Sequence, residues 1–291
     1  MMSTTTRPTP ADFSITPRDR KFGRGEATPR LWHGGRVEAT AIYNALSSTF
    51  PIGEAYFVES VRAVRAGAPA KLAEEIKAFT TQEAIHSREH DAFNKRAAGA
   101  GYDLSKLEQR VEERLAVARA RGPIANLAAT MALEHFTAIL AHQLLANPAH
   151  LAGAEAVTAD LWRWHACEEI EHKGVAYDTW LWATRDWPRY KRWRVKAKVM
   201  LYVTRNFVVD RTWGSLELMR QDGVTGFKAW WLLLTYLWVR PGMFRKIAGA
   251  WVSYFLPGFH PWNEDDRDLL ATYDASAKGV QQSARKVRRA A

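Results

Sequence analysis

Long stretches of helical periodicity, separated by a few Gly and Pro breakers, limit the fold of this 291-residue chain more than any other feature. From Val37 onward apolar residues recur at helical intervals, whereas the strict alternation and hairpin-turn dipeptides of β-strands are nearly absent. With 47% hydrophobic and 25% charged residues, the chain can bury a core of ordinary size. The sequence therefore predicts an all-α protein.

The breakers divide this pattern into four long helices. We predict these helices over residues 37–66, 69–99, 124–145 and 153–183. Gly67-Ala68-Pro69 ends the first helix, and Gly99-Ala100-Gly101 ends the second. A solvated connecting helix over residues 104–121 links the second to the third. The order predicts a four-helix bundle with one long crossover.

The composition changes on both sides of this bundle. Residues 1–36 are rich in Thr, Pro, Arg and Gly, and we expect a flexible arm there. Residues 37–185 form the predicted bundle. We expect residues 186–273 to form a basic, Trp-rich helical region that packs on the bundle or on a membrane, and residues 274–291 to form a flexible basic tail.

The C-terminal half concentrates positive charge and tryptophan in a chain whose formal net charge is +10. Between Arg185 and Lys246, 14 Lys or Arg stand against four acidic residues, and 12 of the 13 tryptophans lie between Trp162 and Trp262. Beyond Pro188 we expect shorter amphipathic helices. Indole rings and basic residues suit an anionic membrane interface, but they also suit helices that pack on a bundle, so both interpretations stay open. A nucleic-acid partner is not expected, because no binding motif accompanies the charge.

Cys167 is the only cysteine, which excludes an intrachain disulfide and fits a reducing compartment. No uninterrupted apolar run reaches the ~18 residues of a spanning helix, and the longest, over 229–239, has 11 residues. We therefore expect a cytoplasmic protein, with peripheral contact to the inner face of the membrane as the open alternative. Whether the chain forms a homodimer also stays open.

Two Glu-x-x-His motifs lie in the predicted helices: Glu83 with His86 in the second helix, and Glu169 with His172 in the fourth. A spacing of three residues places the two side chains only about 60° apart and about one helical turn along the axis. Both side chains of each motif can therefore reach one metal ion. In a chain with a single cysteine, such an ion must be held by His, Asp or Glu.

The first and third helices each add a glutamate in an apolar setting, Glu54 and Glu134. A buried carboxylate is costly unless a cation offsets its charge. Glu59 competes with Glu54 but points about 140° away from it, so both cannot face the same ions. The pattern is thus Glu, Glu-x-x-His, Glu, Glu-x-x-His, one element per helix, and bundle cores build metal sites from such facing side chains.

This pattern over residues 37–184 resembles the ferritin-like superfamily of carboxylate-bridged di-iron and di-manganese proteins. Within it, FPxGE, QEAIHSREH and HACEEIEHK are similar to a bacterial family catalogued as predicted metal-dependent hydrolases. His165 lies four residues before Glu169 and on the same helix face, and this extra histidine resembles the arylamine N-oxygenases of the superfamily. The resemblance implies a ferritin-like four-helix bundle. It makes the following residues the predicted ligands of two metal ions: Glu54, Glu83, His86, Glu134, His165, Glu169 and His172.

Three further residues are candidates for roles around these ligands. His90 points about 20° from the direction of Glu83, which favours a hydrogen bond to a ligand over direct metal binding. His135 lies about 100° from Glu134, where a supporting or solvated position fits better than a ligand. Tyr56, near Glu54, suits proton transfer or packing in the core.

Carboxylates and imidazoles together suit iron, manganese or zinc. The resemblance implies two ions, with iron as the first expectation and Mn or Zn as the alternatives. It also implies O2 as co-substrate, an electron-donor protein and a small organic substrate. Membrane contact of the basic, Trp-rich region would make a hydrophobic substrate the expectation. We therefore expect a non-haem di-iron oxygenase or oxidase. A metal-dependent hydrolase that uses a metal-bound water is the alternative, and a non-catalytic metal-binding or membrane-associated protein is the third.

Overall fold

The structure, a computed structural model, describes residues 9–277 of the chain. No β-strand occurs within these residues, and the prediction of an all-α protein is confirmed. The helices are α1 (Val37–Ser47), α2 (Phe50–Arg62), α3 (Ala70–Gly99), α4 (Ser105–Arg119), α5 (Pro123–Ala146), α6 (Ala156–His172), α7 (Val175–Ala183), α8 (Arg189–Gln221), α9 (Gly226–Leu234), α10 (Met243–Ser253) and α11 over residues 267–277. A π-helical segment, Thr235–Val239, follows α9.

Four of these helices enclose one core. Helix α2 packs against α3 and α5, and α6 packs against the same two helices, so each of the four has two neighbours in the ring. Helix α4 connects α3 to α5, where the crossover helix was predicted. Pro123 stands at the start of α5, where its missing N–H has no intrahelical partner to lose. The four helices α2, α3, α5 and α6 carry all seven predicted ligands.

The predicted helix over residues 37–66 is instead two helices, α1 and α2, which are separated at Ser48 and Thr49. Pro51 causes the break, because it has no N–H to donate to the carbonyl of Ser47 one turn earlier. That carbonyl accepts a hydrogen bond from the Asn94 side chain instead, with Nδ2 3.2 Å from the Ser47 oxygen. The hydrogen bond at the break thus ties the end of α1 to α3.

The predicted helix over residues 153–183 is also two helices, α6 and α7, which meet at Gly174. A Cβ atom at this position would lie 2.6 Å from Thr9 Oγ1 and 3.0 Å from Trp262 Cδ1. Only glycine leaves room for these two side chains. The break therefore marks the place where both ends of the described chain pack on the bundle.

Helix α8 is longer than the amphipathic helices that we expected beyond Pro188, since it runs without interruption for 33 residues and ends only at the breaker Asp222-Gly223. It contains no proline, and its glycine, Gly214, lies where α8 packs closely on α4 and α1. A Cβ at Gly214 would lie 3.0 Å from Leu107 Cδ2 and 3.4 Å from Ala45 Cβ. The small residue therefore permits close packing rather than ending the helix.

Residues 9–36, predicted as part of a flexible arm, instead lie against the bundle. Phe22 and Trp32 are 4% and 2% exposed, and Arg18 forms an ion pair with Glu171 of α6 at 2.7 Å. A few buried or ion-paired side chains hold this polar segment in place, and the composition of the segment does not indicate which ones they are. Residues 1–8 of the arm and residues 278–291 of the predicted tail lie outside the described residues, while residues 274–277 continue α11.

Among residues 9–277, one helix is long and apolar enough to cross a membrane by length and composition, namely α5. This helix is mostly buried against its neighbours and carries Glu134 into the core. The central helix of a bundle commonly passes the same test.

Candidate metal centre

The structure brings all seven predicted ligands together inside the ring of α2, α3, α5 and α6, and none is more than 4% exposed. Six of them, all except Glu134, form two groups, and within each group the donor atoms lie within 4.8 Å of one another. The first group contains Glu54, His86 and His165. The second group contains Glu83, Glu169 and His172.

Glu169 joins the two groups. Its Oε1 lies 2.9 Å from His165 Nε2 and 3.6 Å from His86 Nδ1 in the first group, and 3.4 Å from His172 Nε2 in the second. Glu134 lies beside the second group, with its Oε2 3.5 Å from His172 Nε2. The seven side chains therefore form one continuous cluster with a carboxylate at its middle.

Eight buried polar atoms of this cluster have no hydrogen-bond partner. They are Glu54 Oε1, both carboxylate oxygens of Glu83 and of Glu134, Glu169 Oε2, His86 Nδ1 and His172 Nε2. Buried polar atoms without partners are rare in folded proteins because each costs desolvation free energy. Carboxylate oxygens and imidazole nitrogens are ligands for iron, manganese and zinc, so the donor set fits metal ions at this place.

The crowding of four carboxylates shifts their proton affinities strongly. Burial, together with the neighbouring Glu169, raises the pKa of Glu54 well above its usual range, and burial with Glu134 and Glu169 does the same for the pKa of Glu83. Burial raises the pKa of Glu134 to about 8 even though His172 opposes the shift. Burial alone would lower the pKa of His172, but Glu169 and Glu134 outweigh it and raise that pKa to about 9. The cluster thus requires positive charge, either as protons or as metal ions.

Each histidine of the cluster makes an outer hydrogen bond through one ring nitrogen. The pairs are His86 Nε2 with Glu168 Oε2 at 2.9 Å, His172 Nδ1 with Gln82 Oε1 at 3.1 Å, and His165 Nδ1 with His90 Nε2 at 2.5 Å. The other ring nitrogen of each histidine faces the carboxylates. Metal-binding histidines characteristically have this arrangement, which fixes the ring and the tautomer.

His90 lies against His165, one of the predicted ligands. Its Nδ1 is 2.8 Å from Ser47 Oγ, and the Ser47 hydroxyl donates to Asn94 Oδ1 at 2.6 Å. The His165 ring is thus held by a buried chain of polar side chains on α1 and α3. Ser47, the last residue of α1, completes this series of hydrogen bonds.

His135 and Tyr56 lie outside the cluster. His135 takes neither the supporting nor the solvated position expected of it, whereas Tyr56 is buried in the core, which is one of the two roles expected for it. His135 Nε2 is hydrogen-bonded to the backbone oxygen of Ala250 at 3.1 Å, because a turn of about 100° from Glu134 directs it toward α10. Tyr56 lies about 200° around α2 from Glu54, and its hydroxyl donates to Asn126 Oδ1 at 3.2 Å. Neither side chain holds a predicted ligand.

Sequence reasoning missed the outer partner Gln82 and Arg18 behind it. The angle of Glu168 from Glu169 on α6 fits a supporting or solvated position, and the structure places Glu168 against His86. Glu168 accepts a hydrogen bond from the backbone N–H of Arg18 at 2.8 Å. The Arg18 guanidinium pairs with Glu171, which also accepts from Gln82 Nε2 at 2.9 Å. Gln82 directly precedes Glu83 of the first motif, and this position could have indicated its role. No signal in the sequence indicates Arg18, because its position depends on how residues 9–36 pack.

A cavity of about 640 Å³ lies beside the cluster and has Glu54, His165 and Glu169 in its wall. Most of its lining is apolar, and α2, α5 and α8 contribute much of it. Val117 and Tyr202 also line it and are 52% and 54% exposed, so the cavity opens to the surface near them. The cluster is therefore accessible to a molecule of substrate size through an apolar passage.

An all-α chain with a buried cluster of glutamates and histidines has the characteristics of a metal-dependent protein. A family model described as "Predicted metal-dependent hydrolase" matches residues 16–265. This match covers most of the chain, so the protein belongs to that family. No curated protein and no solved structure matches it significantly.

Proposed function

We propose that α2, α3, α5 and α6 form a ferritin-like bundle that holds two iron ions, and that the protein uses O2 to oxidise a hydrophobic organic molecule. The observation that carries this proposal is the contact between a fully buried, unpaired donor cluster and an apolar cavity that opens to the surface. Glu54, His86 and His165 would hold one ion, and Glu83, Glu169 and His172 the other. Glu134 stands next to the second group.

Two bound iron ions would supply the electrons that activate O2 for transfer of oxygen to a substrate, and manganese or zinc would not be equivalent in this role. An electron-donor protein would return those electrons. The protein's own residues hold the site in place: the outer bonds from Glu168, Gln82 and His90 orient the three histidines. The apolar lining excludes water and binds the nonpolar part of the substrate.

Hydrolysis is the second candidate, because the family description names it. A metal-bound water is a competent nucleophile near neutral pH. The predominantly apolar wall next to Glu54 and His165 suits oxidation of a nonpolar molecule better than formation of a charged hydrolysis product. The two chemistries also differ in the metal that they require.

Metal analysis followed by paired activity assays tests the proposal. Protein expressed in medium with iron, manganese and zinc is expected to contain about two iron ions per chain. Protein loaded anaerobically with Fe(II) should then consume O2 stoichiometrically, and the Glu169→Gln variant should not. The matched control is Glu59→Gln, which removes a carboxylate that is 54% exposed on α2.

The contrary result is equally specific. Two zinc or manganese ions per chain, together with hydrolysis of p-nitrophenyl acyl esters that Glu169→Gln abolishes, would replace oxidation by hydrolysis. Purified protein without metal that also fails to bind added Fe(II), Mn(II) or Zn(II) would contradict both chemistries.

A further inference from the structure

Large hydrophobic side chains are exposed almost entirely in one part of the described chain. Fourteen of the 15 that are exposed within residues 9–277 lie between Tyr190 and Leu256, and Val117 is the other. Phe227 is 83% exposed and Trp231 is 62% exposed. Single exposed apolar residues are ordinary, but a concentration of this kind marks an interaction surface.

The outward face of α8 combines apolar and basic side chains. Tyr190, Leu201 and Val208 are exposed at spacings of 11 and 7 residues, which bring them to one side of the helix. Arg194 and Arg205 are exposed on the same side, and no carboxylate within residues 9–277 forms an ion pair with either. Apolar and basic side chains therefore alternate along this one exposed face of α8.

Helix α9 and the π-helical segment after it present an aromatic row. Phe227, Trp231, Leu234 and Trp238 follow one another at helical spacing, and all are more than 45% exposed. The rings of Phe227 and Trp231 stack with their centroids 6.3 Å apart. This row has no covering element among the described residues.

Acidic side chains do not interrupt this surface. Only three acids lie between residues 189 and 256, and each is paired with a cation. Asp210 pairs with Arg110 at 2.6 Å, Glu217 with Arg220 at 2.8 Å, and Asp222 with Arg30 at 2.7 Å. The exposed surface therefore combines tryptophan, tyrosine and aliphatic groups with basic residues that lack an acidic counterpart.

We propose that exposed residues of 190–256 form a membrane-docking surface that lies on an anionic bilayer. Trp and Tyr are favoured at the level of lipid headgroups, and Lys and Arg there pair with anionic lipids. A second copy would place the same basic face against itself, which like-charge repulsion disfavours. Tyr202, also exposed on α8, lines the cavity beside the metal centre, but it lies about 100° around the helix from Leu201, so the cavity opening and the face of Tyr190, Leu201 and Val208 point in different directions.

Vesicle flotation of the full-length protein tests this proposal. The protein is expected to float with phosphatidylcholine vesicles that contain about 30 mol% phosphatidylserine, and to bind pure phosphatidylcholine vesicles at least about tenfold more weakly. Raised salt should weaken the binding, because the charges are exposed. No binding to the anionic vesicles would overturn the proposal.

Two double variants and a matched control localise the binding. Phe227→Ser with Trp231→Ser, and Arg194→Glu with Arg205→Glu, should each lower the vesicle partition coefficient at least about tenfold. The control, Lys77→Glu with Arg163→Glu, makes the same charge change at exposed positions on α3 and α6 and should change it less than about threefold. Circular dichroism establishes that each variant is folded. An equal loss of vesicle binding in the control would show that binding depends only on the net charge of the protein, and it would overturn the proposal.

Analytical ultracentrifugation tests whether a second copy of the protein, rather than a membrane, covers this surface. A dimer that Phe227→Ser with Trp231→Ser dissociates, in a protein that ignores vesicles, would show that the surface binds a second copy and not a membrane. Tighter binding to a DNA or RNA duplex than to anionic vesicles would also overturn the proposal. A monomer that floats with anionic vesicles is the expected outcome.

Discussion

The centre of the helical bundle and the membrane-docking surface depart in opposite ways from the usual distribution of side chains. Inside α2, α3, α5 and α6, seven ionisable side chains are buried, and eight of their polar atoms lack a partner. Across residues 190–256, large aromatic and aliphatic side chains are exposed. Each region is unfavourable for an isolated chain, and each becomes favourable when a suitable partner is present: cations for the first, lipid for the second.

The two regions differ in how far the fold determines the partner. In the bundle, Glu168, Gln82 and His90 hold the three histidine rings from outside, so the donor atoms have fixed positions. On the docking surface, Phe227 and Trp231 contact each other but have no such framework. Coordination needs defined geometry, whereas burial in lipid is nondirectional and depends on area. In the bundle we can therefore name the individual residues that would bind the metal ions, whereas for the docking surface we can name only the class of partner.

The largest expected effect is the loss of metal on Glu169→Gln, because this carboxylate contacts both histidine groups. We expect the metal content to fall from about two ions per chain to below one, with loss of the metal-dependent activity. Elemental analysis of the purified variant measures this. Full retention of metal in Glu169→Gln, and also in Glu134→Ala and His172→Ala, would show that the cluster is not the metal site. Vesicle binding of Glu169→Gln should be unchanged if the two regions are independent.

The next largest effect is the pH dependence of metal binding. Burial holds the pKa of Glu54 and Glu83 well above their usual range and raises the pKa of Glu134 to about 8, so a metal ion must displace protons at pH 7. Each proton displaced makes the affinity rise about tenfold per pH unit while the carboxyl remains protonated without metal. Chelator competition at pH 6, 7 and 8 should therefore show affinity increasing with pH.

The same pH series sharpens the comparison of the two regions. Vesicle binding through Arg194 and Arg205 should stay nearly constant between pH 6 and 8, since the buried carboxylates of the cluster take no part in it. A metal affinity that does not change with pH would mean that protons do not occupy the cluster. A pH-dependent vesicle affinity would mean that other groups contribute to docking.

A smaller effect is expected for the outer partner of His165. The His90→Gln variant should lower metal affinity about 10- to 100-fold, because a flexible amide holds the His165 ring less firmly than the buried imidazole that bonds to it. His135→Gln is the matched control, a buried histidine on α5 that bonds to Ala250 and not to the cluster. Both changes can lower the thermal stability, but only His90→Gln should change the metal affinity. Equal metal affinities in the two variants would make His90 merely a packing residue.

The smallest effect concerns Lys196, which is buried on the side of α8 opposite the proposed docking face. It lies among aromatic rings, with Nζ 4.6 Å from the centroid of Tyr254 and 4.7 Å from that of Phe259, and burial lowers its pKa to about 7. Between pH 7 and the ordinary lysine pKa of about 10.4, the unfolded chain binds more protons, so this group makes stability rise with pH. Lys196→Met should remove that rise and stabilise the protein by about 1–2 kcal/mol at pH 7.

Urea unfolding of Lys196→Met and the parent protein at pH 7, 8.5 and 10 measures this effect. The difference in the free energy of unfolding should be greatest at pH 7 and shrink as the pH rises. A variant that is less stable at every pH would show that the contact of the ammonium with the rings of Tyr254 and Phe259 outweighs its burial.

The sequence by itself determined the all-α class and the set of residues that converge in the bundle. Helical periodicity is local, and a Glu-x-x-His spacing puts Glu83 and His86 on one helix face whatever surrounds them. The apolar settings of Glu54 and Glu134 indicated that both carboxylates are buried. The assignment of all seven residues, His165 included, to one ligand set came from the resemblance to the ferritin-like superfamily and not from helix angles alone.

Only the tertiary structure decided what lies around that cluster. The contacts of Glu168, the position of Arg18 and the separation of His135 from the ligands depend on how neighbouring helices and residues 9–36 are placed. The two helix breaks likewise involve residues that are distant in the chain. Asn94 bonds to the carbonyl freed by Pro51, and Thr9 and Trp262 pack against Gly174. Sequence spacing fixes directions within a helix, but the rotation and crossing of packed helices arise from the sum of many contacts across the whole core.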